Sequence, residues 1–198
     1  MLGVVLILVL NFGISWFNCW SVGGIWTEAR QLGGWIRIVA WSAAIQSAIG
    51  FSSVIGALIG YALYATGHLP PVAARAASSL WYVIVIVPAL GTGLVLTIQS
   101  WIVAFRTKRF LDMGIAAYNT FAQVKNMADA FESIPQAFSA IVDLFKADEK
   151  DDGGGAMVLA VIGLVACSLL GGVLLTSVLI KRYSRRLALP ARVQGVAS

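Results

Sequence analysis

Four stretches of this sequence are almost purely apolar over lengths that can cross a lipid bilayer, and the polar residues gather between them. A bilayer core of roughly 30 Å needs about 20 helical residues at a rise of about 1.5 Å each. Leu2 to about Ser21 and Ala156 to Ile180 pass that test without a charged residue. Leu80 to Phe105 passes it with Pro88 inside, which removes a backbone donor and predicts a bend. The remaining stretch runs from Trp35 or Ile38 to about Thr66. At its longest it would reach on the order of 50 Å, so it has to tilt or project beyond the headgroups. The pattern predicts an all-α polytopic membrane protein with four transmembrane helices. The first stretch lacks a basic n-region and an Ala-x-Ala cleavage pattern, so it reads as a retained helix, with the mature chain beginning at or near Met1.

The connections differ in kind. The first, VGGIWTEARQLGG from Val22 to Gly34, has a glycine pair at each end, which suits a turn or a helix boundary. The second, Gly67 to Ser79, holds Pro70 and Pro71 and reads as a short extramembrane corner. The third, Arg106 to Gly155, is long enough to form an extramembrane element and contains every acidic residue except Glu28. Within it Ala117, Phe121, Val124, Ala128, Phe131, Ile134, Phe138, Ile141 and Phe145 recur by threes and fours, while Lys125, Asp129, Glu132 and Asp143 fall elsewhere. This predicts an amphipathic helical segment between the third and fourth spans, divided by Pro135, that lies in the interface or packs on its own bundle. Phe121, Phe131, Phe138 and Phe145 form its candidate partner or self-association face. The closing DEKDDGGG lacks the alternating ligands and terminal Glu of an EF-hand and reads as a solvated acidic turn. The chain thus divides into residues 1–105 with three spans, 106–155 with the amphipathic connection, and 156–198 with the fourth span and a basic tail.

Composition narrows the class further. Hydrophobic residues make up 59% and charged ones 12%, with a mean hydropathy of +0.86, against roughly 45–50% and about 25% for soluble domains. A soluble globule and a disordered polar tail are excluded. The two cysteines, Cys19 and Cys167, sit inside apolar runs and do not form a disulfide framework. The net charge of +5 comes from Lys and Arg that are scattered or border the spans, where lipid headgroups and not nucleic acid would meet them. Four spans put both termini on one side, and the KRYSRR cluster after the last span assigns that side to the cytoplasm. Trp16, Trp20, Trp26, Trp35, Trp41 and Trp101 fall toward the first and third connections, and Trp81 toward the other face, so one interface is heavily anchored.

None of the four spans carries an ionisable residue at mid-depth. Uncharged polar groups do occur there. Asn11 and Asn18 share a face of the first span, Gln46 of the second is placed to meet them, and Gln99 lies on the third. They suit interhelical hydrogen bonds or a pore lining. Glu28, Arg30 and Arg37 could pair near the first connection. Gly56 and Gly60 form a GxxxG, and Gly91, Gly93, Gly171 and Gly172 thin the later spans, which marks them as helix-packing positions. No Walker loop, His-Glu-x-x-His, Cys/His cluster or Ser-His constellation is present, so no catalytic, cofactor or metal residues are assigned and an enzyme is not expected. The sequence points to a structural or assembly subunit of a larger membrane complex, of secretion, conjugation or phage type, in a bacterial inner membrane. Two alternatives are a homo-oligomeric, holin-like pore and a small regulator docking a partner through residues 110–145.

Overall fold

A computed structural model of the chain describes residues 2–150 and 155–194, with the side chains of residues 2, 4, 27, 28, 30, 32, 150 and 186–194 outside that description. The pairing of Glu28 and Arg30, and most of the acidic turn, therefore lie outside the described residues. Five helices account for nearly all of the rest: α1 (Leu2–Leu32), α2 (Gly34–Ala65), α3 (Pro71–Thr107), α4 (Phe110–Lys150) and α5 (Ala156–Gln194). All but α4 contain a segment long and apolar enough to cross a membrane.

The helices are longer, and the turns tighter, than the glycine and proline pattern implies. Gly23 and Gly24 do not end α1. Gly23 is instead a packing position, because Tyr183 of α5 occupies the space a Cβ would take. The chain reverses at Gly33 and Gly34, both at positive φ (65° and 58°), where a side chain would be strained. The second corner shrinks to residues 66–70: His68 and Leu69 donate to the Leu63 carbonyl at 2.9 and 3.1 Å, and Pro71 opens α3, where its missing N–H costs no helical bond. Between α3 and α4 only Lys108 and Arg109 are non-helical, with Lys108 left-handed at φ 55°.

Helix α2 sits centrally, against α1, α3 and α5. Cys19 and Val22 of α1, Ala43, Ala44 and Phe51 of α2, and Leu179 and Ile180 of α5 form the core at the Gly33–Gly34 end. Leu69, Ala73, Ala76 and Ala77 join Leu144, Val161, Leu164 and Val165 at the other end. The outward residues of α1, such as Val5, Leu6, Leu10 and Phe17, are exposed and apolar. This is the inverse of a soluble surface and what lipid requires.

The third connection takes one of its two expected places: α4 does not stand apart from the bundle but packs on it, running back antiparallel along α3. Trp101 donates to Thr120 at 2.9 Å, Gln123 to the Leu90 carbonyl at 2.8 Å, and Leu144 packs with Ala73 and Ala76 at the far end. Nor does Pro135 divide it, since α4 is assigned as one helix through that residue. Pro135 is exposed, so its lost hydrogen bond falls away from the α3 contact.

Along α4 the buried residues Ala116, Gln123, Ala130, Ala137 and Leu144 fall at a seven-residue repeat, with Ala140 buried beside them. Small residues at a 3.5-residue period let two backbones approach along a shallow left-handed crossing. With α4 inside the bundle the five helices reverse direction four times, and the start of α1 and the end of α5 lie at opposite ends of the bundle, whereas four crossings alone would put both on one side.

Candidate functional site

The site with the most chemistry is the outer surface of α4. Turning Ala130 and Ala137 inward turns the phenylalanines outward: Phe121, Phe131, Phe138 and Phe145 are 69%, 78%, 55% and 55% exposed. The apolar face that periodicity singles out is therefore not the one that packs on the bundle. Beside it runs a polar strip of Lys125, Asp129, Glu132, Gln136, Ser139 and Asp143, all exposed, with Lys125 and Asp129 paired one turn apart.

The depth of that strip matters. Gln123 contacts Leu90, close to the midpoint of Pro71–Thr107, and Lys125 lies only two residues further on. Lys125 thus stands level with the middle of α3, Asp129 lies one turn further along, and Glu132 lies beside Ser133, which shares a crevice with Ser78 and Tyr82 toward the 66–70 end. The charged side chain nearest that middle is supplied by α4 and not by a span. Insertion scales place a charged residue at roughly 2.5–3.5 kcal/mol each at a bilayer centre.

The polar residues of the spans are not brought to one lumen. Gln46 faces α3, donating to the Ala89 carbonyl at 2.7 Å and Thr92 Oγ1 at 2.9 Å. It does not meet Asn11 and Asn18, because the face of α2 toward α1 is the one bearing Ser47 and Gly50, where Gly50 approaches Ser15 and the Asn11 carbonyl. Gln99 accepts from Trp35 Nε1 at 2.6 Å. Two of the four groups thus join α2 to α3, and the other two sit half-buried on α1.

Among the glycines, Gly172 stands against backbone of a neighbouring helix: a Cβ there would meet Ser52 N and Cβ at 2.8 Å and the Ala48 carbonyl. Gly56 faces Ser168 Oγ at 2.9 Å, Gly171 faces Ile55 Cδ1 at 3.0 Å, and Gly93 lies under the Gln123 amide. Gly60 meets only Leu164 at an ordinary 3.8 Å, and Gly91 opens onto empty space and packs on no helix. Gly23 and Gly50 are close-approach positions that sequence spacing did not mark, since neither forms a GxxxG with its neighbours.

Aromatic rings gather toward the Gly33–Gly34 end. Trp26 and Trp41 meet edge to face at 5.2 Å, Trp101 stacks on Phe105 at 5.4 Å, and Trp16 meets Tyr183. The same end carries Arg37, Arg106, Lys108, Arg109, Lys181, Arg182 and Arg185, against Arg75 and Lys146 toward the other. Among the described residues no three His, Cys, Asp or Glu side chains come together as a metal site would need. Comparisons with protein-family models, curated proteins and solved structures gave no match.

Proposed function

We propose that this chain is a nonenzymatic subunit of a larger membrane assembly, and that α4 is the element through which it meets its neighbours. The observation that carries the reading is the charged strip of α4, with Lys125 and its partner Asp129 exposed near the level of the centre of α3 and Glu132 further toward the 66–70 end. Lipid tails cannot solvate that strip, so protein or enclosed water has to cover it. The adjoining phenylalanine face offers a partner large apolar contact area beside it. In native nanodiscs extracted without harsh detergent, the protein mass per particle, with lipid and belt subtracted, is expected to exceed the 21.0 kDa of one chain. A folded particle that stayed at one copy, with no companion protein, would overturn the reading.

A pore remains the second reading because the same strip suits an aqueous wall. Its lining would be α4 of several copies, in place of the Asn11, Asn18, Gln46 and Gln99 set. Single-channel current that persisted after Lys125→Gln with unchanged ion selectivity would speak against that lining.

The distribution of basic residues also supports an orientation. Cytoplasmic flanks carry the excess of Lys and Arg, so the Gly33–Gly34 turn, the Lys108 turn and the end of α5 face the cytoplasm, with the start of α1 on the other side of a bacterial inner membrane. With exposed Cys167 replaced by serine, a membrane-impermeant maleimide added to intact cells should label Gly67→Cys and spare Lys108→Cys. The reverse pattern would invert the assignment.

A further inference from the structure

Near the 66–70 corner, α2, α3 and α5 part around a half-open cavity of about 550 Å³. Its walls are mostly small or apolar, with Gly56, Ala57, Gly60, Ala77 and Leu164 along the slot, Trp81 among the deeper residues, and the rings of Tyr61, Tyr64 and Tyr82 on its rim. The hydroxyls along its deep end are engaged within the protein. Ser52 Oγ donates to the Ile49 carbonyl and accepts from Trp81 Nε1, and Ser168 Oγ donates to the Leu164 carbonyl. A polar solute would find few free partners there. From Tyr64 to Ser52 the cavity follows twelve residues of α2, roughly 18 Å of helix, close to half of the roughly 30 Å hydrocarbon core.

A second, polar crevice lies between α3 and α4 and shares Ser78 and Tyr82 with the first. Arg75, Ser79, Ser133 and Gln136 line it. No carboxylate among the described residues pairs with Arg75. One turn from the start of α3, Arg75 stands at headgroup level, and a guanidinium with neighbouring hydroxyls suits a phosphodiester. An apolar slot one leaflet deep, joined at its mouth to a cationic crevice, has the shape and polarity of one anionic phospholipid.

We propose that this paired cavity binds an anionic phospholipid from the leaflet on the 66–70 side, with an acyl chain between α2, α3 and α5 and the phosphate at Arg75. This does not depend on the assembly reading: of the residues named here only Gln136 also belongs to the polar strip of α4, and the phosphate contact is Arg75 of α3. The test is native mass spectrometry of the full chain, delipidated in dodecyl maltoside and titrated with palmitoyl-oleoyl phosphatidylglycerol or the phosphatidylcholine of the same chains. Both lipids offer Arg75 a phosphodiester, but the choline cation of phosphatidylcholine would stand beside the guanidinium, so the wild type should retain phosphatidylglycerol about tenfold better. Arg75→Ala should bring the two lipids level. Ala57→Leu, which fills the slot while leaving Arg75 in place, should weaken both lipids together, with an unchanged melting temperature showing that the bundle is intact. Equal retention of the two lipids by the wild type would overturn the proposal, as would undiminished binding by folded Ala57→Leu. So would protection from phosphatidylglycerol binding by an equal concentration of glycerol phosphate, which has no chains.

Discussion

Gly172→Leu should abolish the folded bundle. The missing side chain of Gly172 is what lets α5 lie against the α2 backbone, with the Ala48 carbonyl and the Ser52 amide nitrogen in the space a Cβ would fill. Side chains can swing aside, but a helix backbone cannot, so relief requires α5 to move away and open the α2/α5 contact along its length. Overpacking a core that can still adjust costs about 1–3 kcal/mol, and the cost here should reach or exceed the top of that range. In detergent the variant is expected to lose its cooperative thermal transition and to elute as aggregate. Gly91→Leu provides the contrast: with nothing near its Cβ, it should melt within about 0.5 kcal/mol of the parent chain. Equal behaviour of the two variants would mean that α2 and α5 are not in this close register.

The second large effect concerns α4. Replacing Lys125, Asp129 and Glu132 together by leucine should leave the chain helical and inserted while the native particle falls to a single copy of 21.0 kDa. In the parent chain all three stand exposed along α4, with Lys125 beside the middle of α3, and they gain most when a neighbour or enclosed water replaces lipid. Leucines at the same positions are content in lipid, so the drive to cover that strip disappears. Mass photometry of nanodisc particles, with the mass of empty discs subtracted, reads the change, and circular dichroism checks that helix content is kept. A triple variant that kept the parent's mass would assign assembly to some other surface.

The four spans could be read from composition because uninterrupted apolar runs have few other uses. Their packing was harder to read, and α4 shows why. Phe121, Phe131, Phe138 and Phe145 dominate its hydropathy pattern, yet the contact with α3 is made by Ala116, Ala130 and Ala137, which carry almost no hydropathy signal. In water a large apolar side chain is driven inward, but between helices in lipid closeness decides, and alanine permits it. Gln46 shows a related limit: its position fixes the face of α2 it occupies, while which helix lies against that face is a tertiary fact. The glycines of VGGIWTEARQLGG show a third, since the same residue type serves Gly23 as a close contact and Gly33 as a turn. The tryptophan bias could be read because it depends on depth alone.

The order in which the contacts can form is also uneven. The α3/α4 hairpin closes through a two-residue turn and zips from Trp101 and Thr120 outward, so it needs only segments made one after the other. Helix α5 has no such local partner, since its closest fit is to α2, across more than a hundred residues of chain. During synthesis α1 to α4 must therefore wait with the groove around Ser52 and Ala48 unfilled until α5 emerges. Docking of this last helix is the step in biogenesis at which a misplaced lipid, a chaperone or a quality-control protease has longest to compete.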